Sequence, residues 1–124
     1  MSPFQSKGQL EAEIAKGMTQ FQREHLGRGP RDVRAWIIQN MILVRFRGVL
    51  TPAERKLARD SEGQQLVKRV RRHLLESSRS VLNEMIQSLA GIEIVSMHSD
   101  ISTQTGERIV VFTLAEDLEV KFKR

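Results

Sequence analysis

The sequence has no cysteine. That absence excludes disulfide frameworks, thiolate metal sites, iron–sulfur clusters and cysteine nucleophiles together. Tyrosine is also missing, and one tryptophan and five phenylalanines are all the aromatics present, a thin supply of stacking platforms for single-stranded nucleic acid. The longest apolar stretches are four residues, at 35–38, 41–44 and 109–112, against the roughly 20 a spanning helix needs. Residues 1–7 hold no basic stretch followed by an apolar run, so no signal peptide is read there. A soluble, cytoplasmic chain is expected.

What remains is a 124-residue chain that is 40% hydrophobic and 28% charged, with 20 Lys+Arg against 15 Asp+Glu. This suits one compact domain and is too apolar for a disordered segment. The charge is unevenly spread. Residues 1–50 and 51–80 each carry eight basic and four acidic side chains, whereas 81–124 carry four and seven.

Hydrophobic spacing gives the element order. Leu10, Ile14, Met18, Phe21 and Leu26 define one helical face, and Gly27-Arg28-Gly29-Pro30 ends that helix. Alternation over 31–38 and 41–49, split by Gln39-Asn40, predicts a hairpin in which Asn supplies the positive φ. Its second strand should bury Ile42, Val44 and Phe46. Thr51-Pro52-Ala53-Glu54 carries a capping box with proline at the first helical position. A longer helix is expected over 62–89, with Val67, Val70, Leu74, Val81, Met85 and Leu89 inward, interrupted at Ser77-Ser78 and closed by Gly91. Residues 92–103 and 108–114 form a second hairpin around Gly106. The fold class is α+β: a two-layer α/β sandwich of αββ-α-αββ order, with a four-stranded, mostly antiparallel sheet and two main helices on one face. Residues 1–119 are taken as one domain and 120–124 as a tail or short edge strand.

Three groups carry possible chemistry. Lys68, Arg69, Arg71, Arg72 and Arg79 cluster on the long helix and read as a phosphate-binding face for nucleic acid or anionic lipid. A solvated helix face explains them equally well. Arg28, Arg31 and Arg34 follow the first helix and could hold a small anion. His98 and Asp100 share one strand face beside Ser102 and Thr105, with Arg108 across the turn. That pattern suits ligand or partner binding, since no nucleophile elbow or oxyanion loop accompanies it. No catalytic, metal or cofactor set is read; His25 and His73 lie on separate helices.

Three segments, Leu26-Gly27-Arg28-Gly29-Pro30-Arg31-Asp32-Val33-Arg34, Gly48-Val49-Leu50-Thr51-Pro52-Ala53-Glu54 and the whole of 98–112, together resemble the bacterial MpsC-like domain family, formerly a domain of unknown function. The resemblance covers roughly 6–119. It implies a soluble accessory component of a cation-translocating, membrane-potential-generating system whose membrane parts resemble inorganic-carbon uptake machinery. It brings no catalytic residues. The expectation is therefore a non-enzymatic interaction module, homodimeric and cytoplasmic, peripheral to the inner face of a membrane transport complex. Arg28, Arg31, Arg34 and the 98–108 hairpin would form its contact surface. The alternative is a nucleic-acid-binding, KH-like module using the basic helix 64–79, by analogy of element order alone.

Overall fold

The computed structural model describes residues 6–27 and 29–122. Helix α1 spans Lys7–His25, capped by Ser6, whose hydroxyl accepts from the Gln9 amide at 3.1 Å while the Gln9 side chain accepts from the Ser6 amide at 3.2 Å. Strands β1 (Asp32–Ile38) and β2 (Met41–Arg47) follow. Three helices come next, α2 (Pro52–Leu57), α3 (Ser61–Ser77) and α4 (Arg79–Ala90), then strands β3 (Ile94–Ile101) and β4 (Arg108–Leu114). Every strand pairing is antiparallel, and the order across the sheet is β1-β2-β4-β3. The α+β class and the four-stranded sheet are as expected.

One sheet face forms the core. Ile37, Ile42, Val44, Phe46, Val110, Phe112 and Leu114 are buried against Leu10, Ile14 and Met18 of α1 and Leu75, Leu82 and Ile86 of α3 and α4. The i, i+4 and i+3 spacing of the helical residues places them on one stripe, and the two-residue period of the strands does the same for the sheet.

Four local expectations need correction. The long helix is two helices: the chain breaks at Ser78, which caps α3 and lends no side-chain bond to α4. Its inward stripe is also displaced. Gly63, Val67, Arg71, Leu75, Leu82, Ile86 and Ala90 are buried, while Val70 and Val81 are 54% and 44% exposed. The four-residue step from 63 to 75 tracks a single face, and a charge occupies one rung of it. In the first hairpin, Gln39 rather than Asn40 takes the left-handed conformation, at φ 57°. Asn40 instead accepts from the Leu114 amide at 2.7 Å, and the Gln39 carbonyl receives the Leu118 and Glu119 amides. Last, of the two readings of 120–124, tail or edge strand, the strand is not formed among the described residues: Glu119–Phe122 is a 3₁₀ turn, and Lys123 and Arg124 lie outside them.

Gly91 ends α4 with φ 71°, the left-handed cap its sequence position predicts. Gly63 has a different reason. A Cβ there would stand 1.6 Å from the Leu57 carbonyl oxygen, so the close packing of α2 on α3 requires a residue without one.

Candidate functional site

The sheet register decides which side chains face which way. Arg34, Trp36 and Ile38 of β1 lie on the face turned away from the helices, beside Met41, Leu43 and Arg45 of β2. Ile109, Val111 and Thr113 of β4 continue that face, and Ser96, His98 and Asp100 of the edge strand β3 complete it. His98 and Asp100 therefore do share a face, both exposed. No described helix covers this side. Its centre, Trp36, Leu43, Ile109 and Val111, is only half-buried, and Ile38 is 42% exposed. An Arg45–Glu107 ion pair of 2.6 Å edges the apolar area.

The expected contact residues do not form one surface. Arg31 and Arg34 sit on the β1 edge and His98 and Asp100 on the β3 edge, with β2 and β4 between them, roughly 14 Å at ordinary strand spacing. Arg28 lies outside the described residues. Ser102 and Thr105 are occupied within the hairpin turn: the Ser102 hydroxyl accepts from the Thr105 amide at 3.2 Å, and the Thr105 hydroxyl from the Glu107 amide at 3.3 Å.

Two arginines assigned to surfaces are interior. Arg71 is 3% exposed and Arg108 is 2% exposed. Arg71 ties three segments together. Its Nε donates to Glu54 Oε2 at 2.7 Å and its Nη2 to Glu54 Oε1. Nη2 also reaches the Val49 carbonyl at 2.7 Å, and Nη1 reaches that of Leu26 at 3.2 Å. Glu54 meanwhile completes the capping box of α2, accepting from the Thr51 amide at 2.9 Å. Burial pushes the Glu54 carboxyl up, but the bonds from Arg71 and Thr51 outweigh it and hold the group below the usual carboxylate value. Arg71 thus joins the end of α1, the β2–α2 link and α2. It leaves the basic patch as Lys68, Arg69 and Arg72 on α3. Arg79 begins α4 and sits 3.5 Å from Glu76.

Arg108 starts β4 on its core face, opposite Ile101 and Phe46. Burial, aided by the nearby Arg71 charge and opposed by Glu54, lowers its guanidinium to about 10, so it stays charged at neutral pH. Its Nη1 is buried with no hydrogen-bond partner among the described residues. The spacing could have flagged Arg71, since Gly63, Val67 and Leu75 lie at steps of four from it. Arg108 falls in register with Val110, Phe112 and Leu114, which was an equivalent sign.

A polar groove of about 680 Å³ lies between the first half of α3 and the β3–β4 turn, lined in part by Gln64, Lys68, Asp100, Ser102 and Gln104. Among the described residues, no three His, Asp or Glu side chains gather in a way that could hold a metal ion. No described helix is long and apolar enough to cross a membrane.

The family model for the Na+-translocating membrane potential-generating system (MpsC) matches residues 6–116. The chain therefore belongs to the MpsC family. It is 40% identical over 119 residues to the Bacillus subtilis (strain 168) protein YbcI, described as uncharacterized, with 96% of each chain covered. A second B. subtilis (strain 168) protein, YrhF, also described as uncharacterized, is 26% identical over 98 residues, covering 78% of this chain and 80% of its own. No solved structure matches the chain.

Proposed function

We propose that the chain is a non-enzymatic accessory module of a membrane-potential-generating system, acting at the cytoplasmic face as a homodimer joined through the open sheet face. The family description supports the link to a membrane system. The observation that carries the interaction role is the uncovered apolar area around Trp36, Leu43, Ile109 and Val111, with a shallow hollow of about 470 Å³ beside Trp36 and Ile38. Contiguous apolar surface of this kind marks contact sites in soluble proteins.

Charge placement argues for a second copy as the occupant. Arg34, Arg45, Ile109 and Asp100 form one row across β1, β2, β4 and β3. A two-fold axis lying in the interface along the strands sets β1 of one copy over β3 of the other. Arg34 then faces the second copy's Asp100, and in the next row Leu43 faces the second copy's Val111 and Trp36 its His98. An axis across the strands would instead press the charged row onto Ile38 and Met41.

Light scattering on the purified chain tests this. The wild type should run as a dimer at micromolar concentration and Val111→Lys as a folded monomer. Arg34→Asp alone and Asp100→Arg alone should weaken the dimer, and the two together should restore it. A wild type that stays monomeric overturns the proposed occupant. Recovery of a membrane protein on the same face would assign the surface to that partner. Nucleic-acid retention that falls steeply with salt and depends on Lys68, Arg69 and Arg72 would favour the KH-like alternative.

A further inference from the structure

Among the described residues, no carboxylate forms an ion pair with the buried Arg108. The Glu54 carboxylate is already held by Arg71 through two bonds. Taking an ion from water without a paired opposite charge is among the costliest burials in a protein, so retention of arginine here calls for a counterion. Arg108 closes the inner side of a crevice between α3 and the end of β3, whose other walls are Lys68, Arg72, Ser99, Asp100 and Ile101. Lys68 and Arg72 are one helical turn apart on α3 and bring two further positive charges. Ser99 adds a hydroxyl. Asp100 is the opposing charge, and its hold on Lys68 is loose: 3.5 Å, with the Asp100 side chain 77% exposed.

Three cations against one carboxylate leave two positive charges at the crevice, matching a dianion. The inner space is about 10 Å³, close to what one water-sized oxygen occupies. Only one oxygen of an oxyanion can enter, with the remainder at the mouth. A groove of about 680 Å³ shares Lys68, Asp100 and Ile101 with the crevice and continues past Gln64, Ser102 and Gln104. Amides and hydroxyls there suit a hydrogen-bonding, uncharged body, and the Glu107 carboxylate on the same wall is already paired with Arg45.

We infer that this crevice binds the phosphoryl group of a small polar phosphate monoester, with one oxygen against Arg108, Lys68 released from Asp100, and the body of the molecule along the groove.

Calorimetric titration of the full chain with ribose 5-phosphate, inorganic phosphate and ribose tests the inference. Ribose 5-phosphate should bind more tightly than inorganic phosphate, and ribose should not bind. Arg108→Met should weaken ribose 5-phosphate by tenfold or more, as expected for loss of a charged hydrogen-bond donor. That variant should also melt higher than the wild type in the absence of ligand, because an unpaired charge has left the interior. Asp100→Asn should tighten binding in the Val111→Lys background, where the dimer contact of Asp100 is absent. If Arg108→Met fails to fold, Lys68→Gln with Arg72→Gln on the helix surface must give the same loss. The inference falls if ribose 5-phosphate does not bind the wild type at about 10 mM, or if neither Arg108→Met nor the surface pair weakens it. Equal affinity for phosphate and ribose 5-phosphate would overturn the part assigned to the groove. Binding should survive in Val111→Lys, so failure of the dimer and failure of this site remain distinguishable.

Discussion

Glu54→Gln keeps the shape of the side chain and most of its capping geometry but removes the carboxylate that pairs with Arg71. Two guanidinium groups, Arg71 and Arg108, would then be buried together with the Glu54 charge gone. Removing one partner of a buried ion pair costs roughly 3–5 kcal/mol. The Glu54 side chain is 21% exposed, so water can screen part of the loss, and about 3 kcal/mol at the lower end applies. Unfolding entropy of about 2.1 cal/mol/K per residue gives roughly 0.26 kcal/mol/K for a chain of this size. The variant should therefore melt about 12 °C below the wild type in a calorimetric scan at neutral pH. The acid side supplies a second reading. Because the folded Glu54 carboxyl titrates below the ordinary glutamate value of 4.5, its stabilisation is fully present above that value and is lost as pH falls through the lower folded one. Below pH 4.5 the wild type should lose stability more steeply than Glu54→Gln. A variant within about 1 kcal/mol of the wild type, the ordinary effect of a surface change, would refute the reasoning that Arg71 is held by charge.

Two further substitutions test the packing of the helices. Gly63→Ala would gain about 1 kcal/mol from helix propensity alone. The clash with the Leu57 carbonyl should reverse that sign and cost about 3 kcal/mol, measured by urea unfolding. Val70→Lys and Val81→Lys should each stay within about 0.5 kcal/mol of the wild type, whereas Leu75→Ala and Leu82→Ala should each cost about 2–5 kcal/mol. Equal losses in the two pairs would place the inward stripe of α3 and α4 elsewhere.

The elements were legible because each has a strong local cause. The Thr51–Glu54 capping box forms as read, with the Glu54 amide donating to the Thr51 hydroxyl at 3.1 Å. Ile42, Val44 and Phe46 face the core as the strand period requires. The inward face of α3 was harder to read. Choosing Val70 and Leu74 rests on the rule that charged residues stay outside, and Arg71 breaks that rule because Glu54, seventeen residues earlier, neutralises it inside. The same rule sent Arg108 outward, although its two-residue spacing from Val110 pointed in. His98 and Asp100 were legible as neighbours, since residues two apart on a strand share a face. Their separation from Arg31 and Arg34 was not, because strand order is not a local property.

Legible in the chain alone were the order and type of most helices and strands, the Thr51 and Gly91 caps, the antiparallel pairing and the MpsC family, but not the break at Ser78. Caps, turns and periodicity act over a few residues, so they are written in the chain. The tertiary structure alone placed β4 between β2 and β3, set the arginines of the β1 edge apart from His98 and Asp100 on the β3 edge, and put Arg71 and Arg108 inside. Those outcomes depend on which charges meet across distant segments, and a buried ion is tolerated only where such a partner arrives.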